Sequence, residues 1–342
     1  METIFFLAPT EADGSLAKSA LEALAASSQL AASLGGAALI AGFFGETVQT
    51  AADSVASCGA AEFLGVTGAD FAHSRYSTDA AAAEALARAA AATVVITPAT
   101  ARMSRVMSGV AHRLGGRVDT HVTGLAAADG APQITRWYYR QRMMAVMQRT
   151  QRPWVLTVDP GSIAPWQGAG GSAQVAAVPV ALPDAARRTR VDGMQSPAGS
   201  QQTIRPDADL LFVAGAGWCK KQRDGATRTP EAEQIILRFL GVSGASLGGS
   251  KSLVDQSGEG AAVISFMSHL NQVGQTGSTP RHPKGLAACC HGEEPHVVGW
   301  RFVPGRRAIN LDANCGWAHG KADVLYVADA FEVVRKVNEL LG

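Results

Sequence analysis

The chain opens on an apolar run, "TIFFLAP" (Thr3 to Pro9), with the length and composition of a buried strand. An Ala-rich stretch follows, "SLAKSALEALAASSQLAASLGG", in which Ala17, Leu21, Leu24, Ser28 and Ala31 recur at helical spacing. Ser15 is placed to cap this helix, and Gly35 with Gly36 to end it. The alternation continues. "AALIAGFFG" reads as a strand and "STDAAAAEALARAAAA" as a helix with Ser77, Thr78 and Asp79 as candidate caps. "TVVITPAT" (Thr93 to Thr100) is the next strand and "ARMSRVMSGVAHRLGG" the helix after it. Short apolar runs separated by amphipathic helices predict a doubly wound α/β domain with a mainly parallel sheet.

The pattern breaks near Pro183. "ALPDAARRTRVDGMQSPAGSQQTIRPDAD" is rich in Pro, Gly, Ser and Arg, poor in large apolar residues, and reads as a linker or surface arm. Alternation then resumes with "ADLLFVAGAGW", a strand entering a Gly-containing turn. A helix, "TPEAEQIILRFLGVSG", follows, with Thr229 as cap and Pro230 in its first position. "GLAACC", "RRAINLD" and "ADVLYVAD" read as strands, and "AFEVVRKVNELLG" as a closing helix. The sequence therefore predicts an α/β protein of two doubly wound domains, residues 1–195 and 205–342, joined by a linker at 196–204.

Composition narrows the function classes. With 47% hydrophobic and 17% charged residues among 342, the chain can build real cores. A net charge of +1 gives no overall field for nucleic acid or a membrane surface. The first residues read as a strand and not as a signal peptide, and no apolar run reaches the roughly 18 residues of a membrane span. Five cysteines, Cys58, Cys219, Cys289, Cys290 and Cys315, stand at irregular spacing, which suits a reduced, cytoplasmic setting.

Candidate chemistry concentrates in the second domain. Four strand ends lead into polar or Gly-rich turns: "AGAGW" (Ala214 to Trp218), "GGSKS" (Gly248 to Ser252), "VGQTG" (Val273 to Gly277) and "CCHGEEPH" (Cys289 to His296). In open parallel sheets ligands bind beyond the carboxyl ends of the strands, where glycines let backbone N–H groups approach phosphates. Four such loops in one domain point to a nucleotide-type ligand; ordinary turns are the alternative, since "GAGW" lacks the full GxGxxG spacing and no Walker sequence is present. Cys289, Cys290 and His291 could suggest metal, but adjacent residues of a strand face opposite ways, so a buried strand end is the better reading. His112, His121 and His269 stand singly and read as surface or packing residues. In the first domain Arg136, Arg140, Arg142, Arg149 and Arg152 interleave with Trp137, Tyr138 and Tyr139, a mixture that fits a partner-subunit interface or a solvated strand face.

Several of these stretches resemble the alpha subunit of electron-transfer flavoproteins: "NQVGQTG" (Asn271 to Gly277), "RRAINLD" ending at Asp312, "ADVLYVADAFEVVRKVNELL", and, in the first domain, "VVITPATAR" (Val94 to Arg102) and "LGGRVDTHVTGL". The resemblance implies a heterodimer with a beta subunit that carries AMP or a second FAD. It implies FAD in the C-terminal domain, with electrons passing from a flavoprotein dehydrogenase to a membrane quinone-linked oxidoreductase. It implies an electron carrier with no substrate turnover of its own, no metal, no nucleic acid and no membrane insertion. A nucleotide-binding structural or regulatory subunit, or part of an electron-bifurcating complex, are the alternatives.

By the same resemblance Gln272, Val273, Gly274, Gln275, Thr276 and Gly277 form the flavin loop, with Gln275 and Thr276 against the ring and the Thr276 hydroxyl offered to N5. Ser250 and Lys251 belong to the same end, Lys251 as the main cation beside the ring. His291, Gly292, Glu293, Glu294, Pro295 and His296 form a further flavin-contacting stretch, with His296 toward O2. Asn310, Asp312, Asp329 and Ala330 belong to the adenosine side. The chain departs from the family in three places. Gly215-Ala216-Gly217 stands for Gly-Arg-Gly, Lys251 for Arg, and Cys289 to His296 for Gly-Ile-Ser-Gly-Ala-Ile-Gln-His. Arg and Lys are not interchangeable at a stacked or bidentate site. The departures imply a branch dedicated to a single dehydrogenase, such as one oxidising an N-methyl amine or an acyl-CoA.

Overall fold

A computed structural model of the chain describes residues 2–138, 143–193, 204–205, 208–256, 263–274, 278, 280–289, 303–315, 318 and 322–342. It divides into two compact units, Met1–Gly193 and Met194–Gly342. Most of the expected linker, 196–203, lies outside the described residues.

The first unit is built on nine strands: β1 (Thr3–Pro9), β2 (Ala38–Gly45), β3 (Glu62–Thr67), β4 (Val94–Pro98), β5 (Arg117–Ala128), β6 (Ala131–Tyr138), β7 (Met143–Met147), β8 (Trp154–Val158) and β9 (Val175–Ala177). Their order in the sheet is β7-β6-β5-β8-β4-β1-β2-β3-β9. All neighbours run parallel except β5 with β6 and β6 with β7. Helices α1 (Lys18–Ser33), α2 (Gln49–Ser54), α3 (Ala69–Ala72), α4 (Tyr76–Ala89) and α5 (Ala101–Arg113) connect them. The apolar runs are unbroken because the sheet has a core on each face. Ile4, Phe6, Phe43, Ile96 and Leu156 pack into one, with Leu24 and Leu30 of α1. Phe5, Leu7, Phe44, Val95 and Val155 pack into the other, with Leu86 of α4 and Val106 of α5.

Local details differ from the sequence reading. Ser15 bonds Asp13 and leaves the start of α1, at Ala17, without a side-chain cap. At the start of α4 neither Ser77 nor Thr78 caps; the side chain of Asp79 accepts from the Arg75 N–H and from Arg102. Thr100 does cap α5, accepting from Met103 N–H at 3.2 Å. The basic-aromatic segment is partly turned inward. Arg136 and Arg149 both bind the carboxylate of Asp119, which is 2% exposed and also accepts from Trp154 Nε1 at 2.8 Å. Tyr138, Met143, Met144 and Val146 remain exposed at the β6–β7 edge, while Tyr139, Arg140 and Arg142 lie outside the described residues.

The second unit holds β10 (Leu210–Ala214), β11 (Ser246–Gly249), β12 (Lys284–Ala288), β13 (Gly305–Asn310) and β14 (Val324–Val327), with α6 (Thr229–Ser243), α7 (Lys251–Asp255) and α8 (Ala330–Leu341). The order β11-β10-β12-β13-β14 is parallel throughout. The chain runs from β10 out to β11 on one side, then crosses back past β10 to β12 on the other, so the strand order reverses between β10 and β12. That crevice, beyond the carboxyl ends, is where doubly wound sheets bind ligands. Phe212, Ile236, Phe239 and Val334 fill the face covered by α6 and α8; Leu211, Val213, Val273 and Ala308 fill the other. Thr229 is the first residue of α6 and not its cap, and Pro230 is the second, each one position from the sequence reading. No helix among the described residues is long and apolar enough to cross a membrane.

Candidate functional site

The described candidate residues fall into two groups at the carboxyl edge of the second sheet. The first group lies at the end of β11. Ser250 is fully buried; its hydroxyl accepts from Leu253 N–H at 2.9 Å and caps α7, while its own N–H donates to Ala214 O at 2.9 Å. Beside it, the backbone of Gln272 and Val273 runs along Gly249, with Val273 N–H donating to Gly249 O at 3.0 Å. Gly274 takes φ 81°, a left-handed conformation suited to glycine, and donates to Ser278 O at 2.7 Å to close the turn. The Val273 side chain packs closely over Gly248: its Cγ2 would stand 2.5 Å from a Cβ there. Gly248 is therefore a packing requirement of this loop. Gly248→Ala is expected to destabilise the second unit by about 1–3 kcal/mol through overpacking, read as a shifted urea midpoint; an unchanged midpoint would mean that the loop does not rest on this contact.

Lys251 is the first residue of α7, and its ammonium pairs with Asp255 one turn on. Asp255 also meets His269 Nε2 at 2.9 Å, so His269 is not an isolated surface residue. The Lys251 hydrogen bond first, and that of His269 second, hold the Asp255 carboxyl below the ordinary range. The expected flavin-side cation thus sits in a partly exposed network of three groups, and Asp255 offsets its charge. Gln275, Thr276 and Gly277 lie outside the described residues, as do His291, Gly292, Glu293, Glu294, Pro295 and His296.

The second group lies at the ends of β13 and β14. Asn310 is 3% exposed; its side-chain oxygen accepts from Asp312 N–H at 3.1 Å, and Asp312 in turn accepts from Asn314 N–H at 2.8 Å. Asp329 caps α8, accepting from Phe331 N–H at 2.8 Å and Glu332 N–H at 3.3 Å, and Ala330 begins that helix. Asn310, Asp329 and Ala330 line one cleft of about 310 Å³; Asp312 is not among its lining residues. In the sheet β11 and β13 are three strand spacings apart, about 14 Å, with the β10/β12 crevice between the two groups. An elongated ligand laid across the carboxyl edge would touch both.

At the centre of that edge the turns after β10 and β12 pack against each other. Gly215 N–H donates to Ala288 O at 2.8 Å and Gly217 N–H to Cys289 O at 3.1 Å. A Cβ on Gly217 would come within 2.8 Å of the Cys289 Cβ, so glycine is what permits the approach. Cys289 itself adopts φ 60° and lines the cleft. Burial first, and the Asp329 carboxylate second, push its thiol well above the ordinary range, which removes it as a thiolate nucleophile. Ala216, where the family resemblance expects arginine, is 1% exposed and carries no charge into the crevice.

The next residues of the same loop are not among those the sequence pattern singles out. Lys220, Lys221 and Arg223 line the same cleft as Asn310. Their signal was present: three cations within four positions, directly after a Gly-rich strand end.

Among known proteins, the sequence model of the electron transfer flavoprotein domain matches residues 4–185. That span covers the nine-stranded sheet of the first unit and more than half of the chain. No curated protein sequence matches it. On this match, and with the α/β architecture of both units, the chain belongs to the electron transfer flavoprotein domain family.

Proposed function

We propose that the chain is the alpha-type, FAD-bearing subunit of a heterodimeric electron-transfer flavoprotein of the cytoplasm. It takes electrons from a flavoprotein dehydrogenase and delivers them to a quinone-linked oxidoreductase. The observation that carries this reading is the distribution of the candidate residues. The described members of the flavin-side set, Ser250, Lys251 and Gln272 to Gly274, and of the adenosine-side set, Asn310, Asp329 and Ala330, lie at the carboxyl ends of one parallel sheet, on opposite sides of the β10/β12 crevice. The donor set fits such a ligand: polar and cationic groups at one end of the edge, and a glycine-lined loop at the other.

Bound there, FAD supplies a ring that accepts and releases electrons one at a time. The chain's task is binding and orientation. Asn310 and the α8 start hold the adenosine end. Gln272 to Gly274 set the entry to the flavin loop, and Lys251 contributes positive charge moderated by Asp255. A subunit that binds nucleotide without a redox role is the second reading. It is favoured by the buried Ala216 and by the pairing of Lys251. The two part in an anaerobic experiment on the purified complex with its partner subunit. Flavin absorption that bleaches on addition of a dehydrogenase with its substrate, and returns with a quinone-linked acceptor, supports the carrier. A complex whose spectrum does not respond to any reductant supports the second reading.

A further inference from the structure

Asp329 fills the N-terminus of α8 with its own carboxylate, accepting from the N–H groups of Phe331 and Glu332. That helix end is already neutralised and offers little to an anion. Ala216 offers nothing either. Positive charge toward the cleft comes instead from Lys220, Lys221 and Arg223. Nearby arginines are already engaged: Arg228 with Asp224, and Arg335 with Glu231. Lys220, Lys221 and Arg223 have no ion pair among the described residues. Three cations on one short loop, against the one carboxylate of Asp329 in the same cleft, leave its lining net positive, which an anionic ligand would offset. The nearly buried Asn310 amide lies in the same cleft, which gives a polar wall beside the cations.

We propose that Lys220, Lys221 and Arg223 form a diphosphate clamp, which takes the charge-neutralising role that the Gly-Ala-Gly turn has lost. The ligand class is a nucleoside diphosphate, free or as the ADP half of a dinucleotide. The choice of FAD as that dinucleotide rests on the reading above; the clamp itself does not require it. The fold provides the position, because the loop leaves the carboxyl end of β10 at the β10/β12 crevice. A diphosphate there lies between the adenosine-side residues and the glycine loop, where an extended dinucleotide carries its charge.

The test uses the full chain with its partner subunit after removal of bound nucleotide, titrated calorimetrically with ADP, inorganic pyrophosphate and adenosine. The Lys220→Ala/Lys221→Ala/Arg223→Ala variant is expected to bind ADP and pyrophosphate more weakly by about tenfold or more, as loss of charged hydrogen bonds implies. Adenosine affinity should not change. The salt dependence of ADP binding should flatten in the variant. Lys220→Arg/Lys221→Arg, which keeps the charge, should retain most of the ADP affinity, and unchanged melting would show that the variants fold. Equal ADP affinity in wild type and triple variant, or equal losses for ADP and adenosine, would overturn the clamp. The flavin reading fails separately: wild-type protein that binds ADP through these cations but no flavin keeps the clamp and loses the FAD assignment. FAD binding indifferent to the triple variant does the reverse.

Discussion

Trp218→Ala is expected to cost the second unit about 3–5 kcal/mol, the range for deleting a large buried aromatic. Trp218 is fully buried directly after the Gly215–Gly217 turn. Its ring lies 4.6 Å from that of Phe331 and 6.5 Å from that of Phe212, which in turn stands 5.1 Å from Phe239. These rings tie the loop after β10 to α6 and to the start of α8. Phe331 also lines the cleft, so the same change should loosen nucleotide retention as well as the fold. Trp218→Phe keeps most of the apolar area and should recover most of the stability. Urea unfolding followed by far-UV circular dichroism checks it. A loss below about 1 kcal/mol would show that the cluster does not carry the unit.

The second large effect is expected in the first unit. Asp119→Ala removes a nearly buried carboxylate shared by Arg136, Arg149 and Trp154, and leaves those donors without it. Breaking a buried charged network by deleting one member costs about 3–5 kcal/mol. The pH dependence follows from the same contacts. Burial raises the Asp119 pKa, but the hydrogen bonds from Arg149 and Trp154, with the charges of Arg149 and Arg136, outweigh it and set it below the ordinary value. A depressed folded-state value means that the unfolded chain binds the proton first. The contribution is therefore complete above the unfolded carboxylate value of about 3.9 and is lost as pH falls through the lower folded value. Asp119→Asn should flatten the acid limb of the stability profile; an unaltered limb would mean that another carboxylate governs it.

Much of the fold was legible because both sheets are covered on two faces, so their strands read as unbroken apolar runs. "TIFFLAP", "VVITP" and "LLFVA" are buried throughout or nearly so. β5, β6 and β7 were harder. Their mixed polar and apolar residues come from an antiparallel edge with solvent on part of its surface, and two of the arginines that suggested an outer face, Arg136 and Arg149, are satisfied by Asp119 from another strand. Cap residues failed where tertiary partners competed for them, as Asp13 does for Ser15. At the candidate site, spacing pointed to the strand ends but not to which side chains face the cleft. Asn310, Asp329 and Ala330 meet there, while Ser250 spends its hydroxyl on a helix cap and Lys251 its charge on Asp255. Lys220, Lys221 and Arg223 stand in the sequence as a run of cations after a Gly-rich turn, but only the path of the loop shows that they line the cleft.

Denaturing the purified full chain, co-expressed with its partner subunit, and identifying the released nucleotide by mass and absorption reads directly whether the chain carries FAD. FAD in stoichiometric amount with the chain, retained in wild type and depleted in Trp218→Ala, is the expected result. A folded complex that releases no flavin, or only AMP, would contradict it.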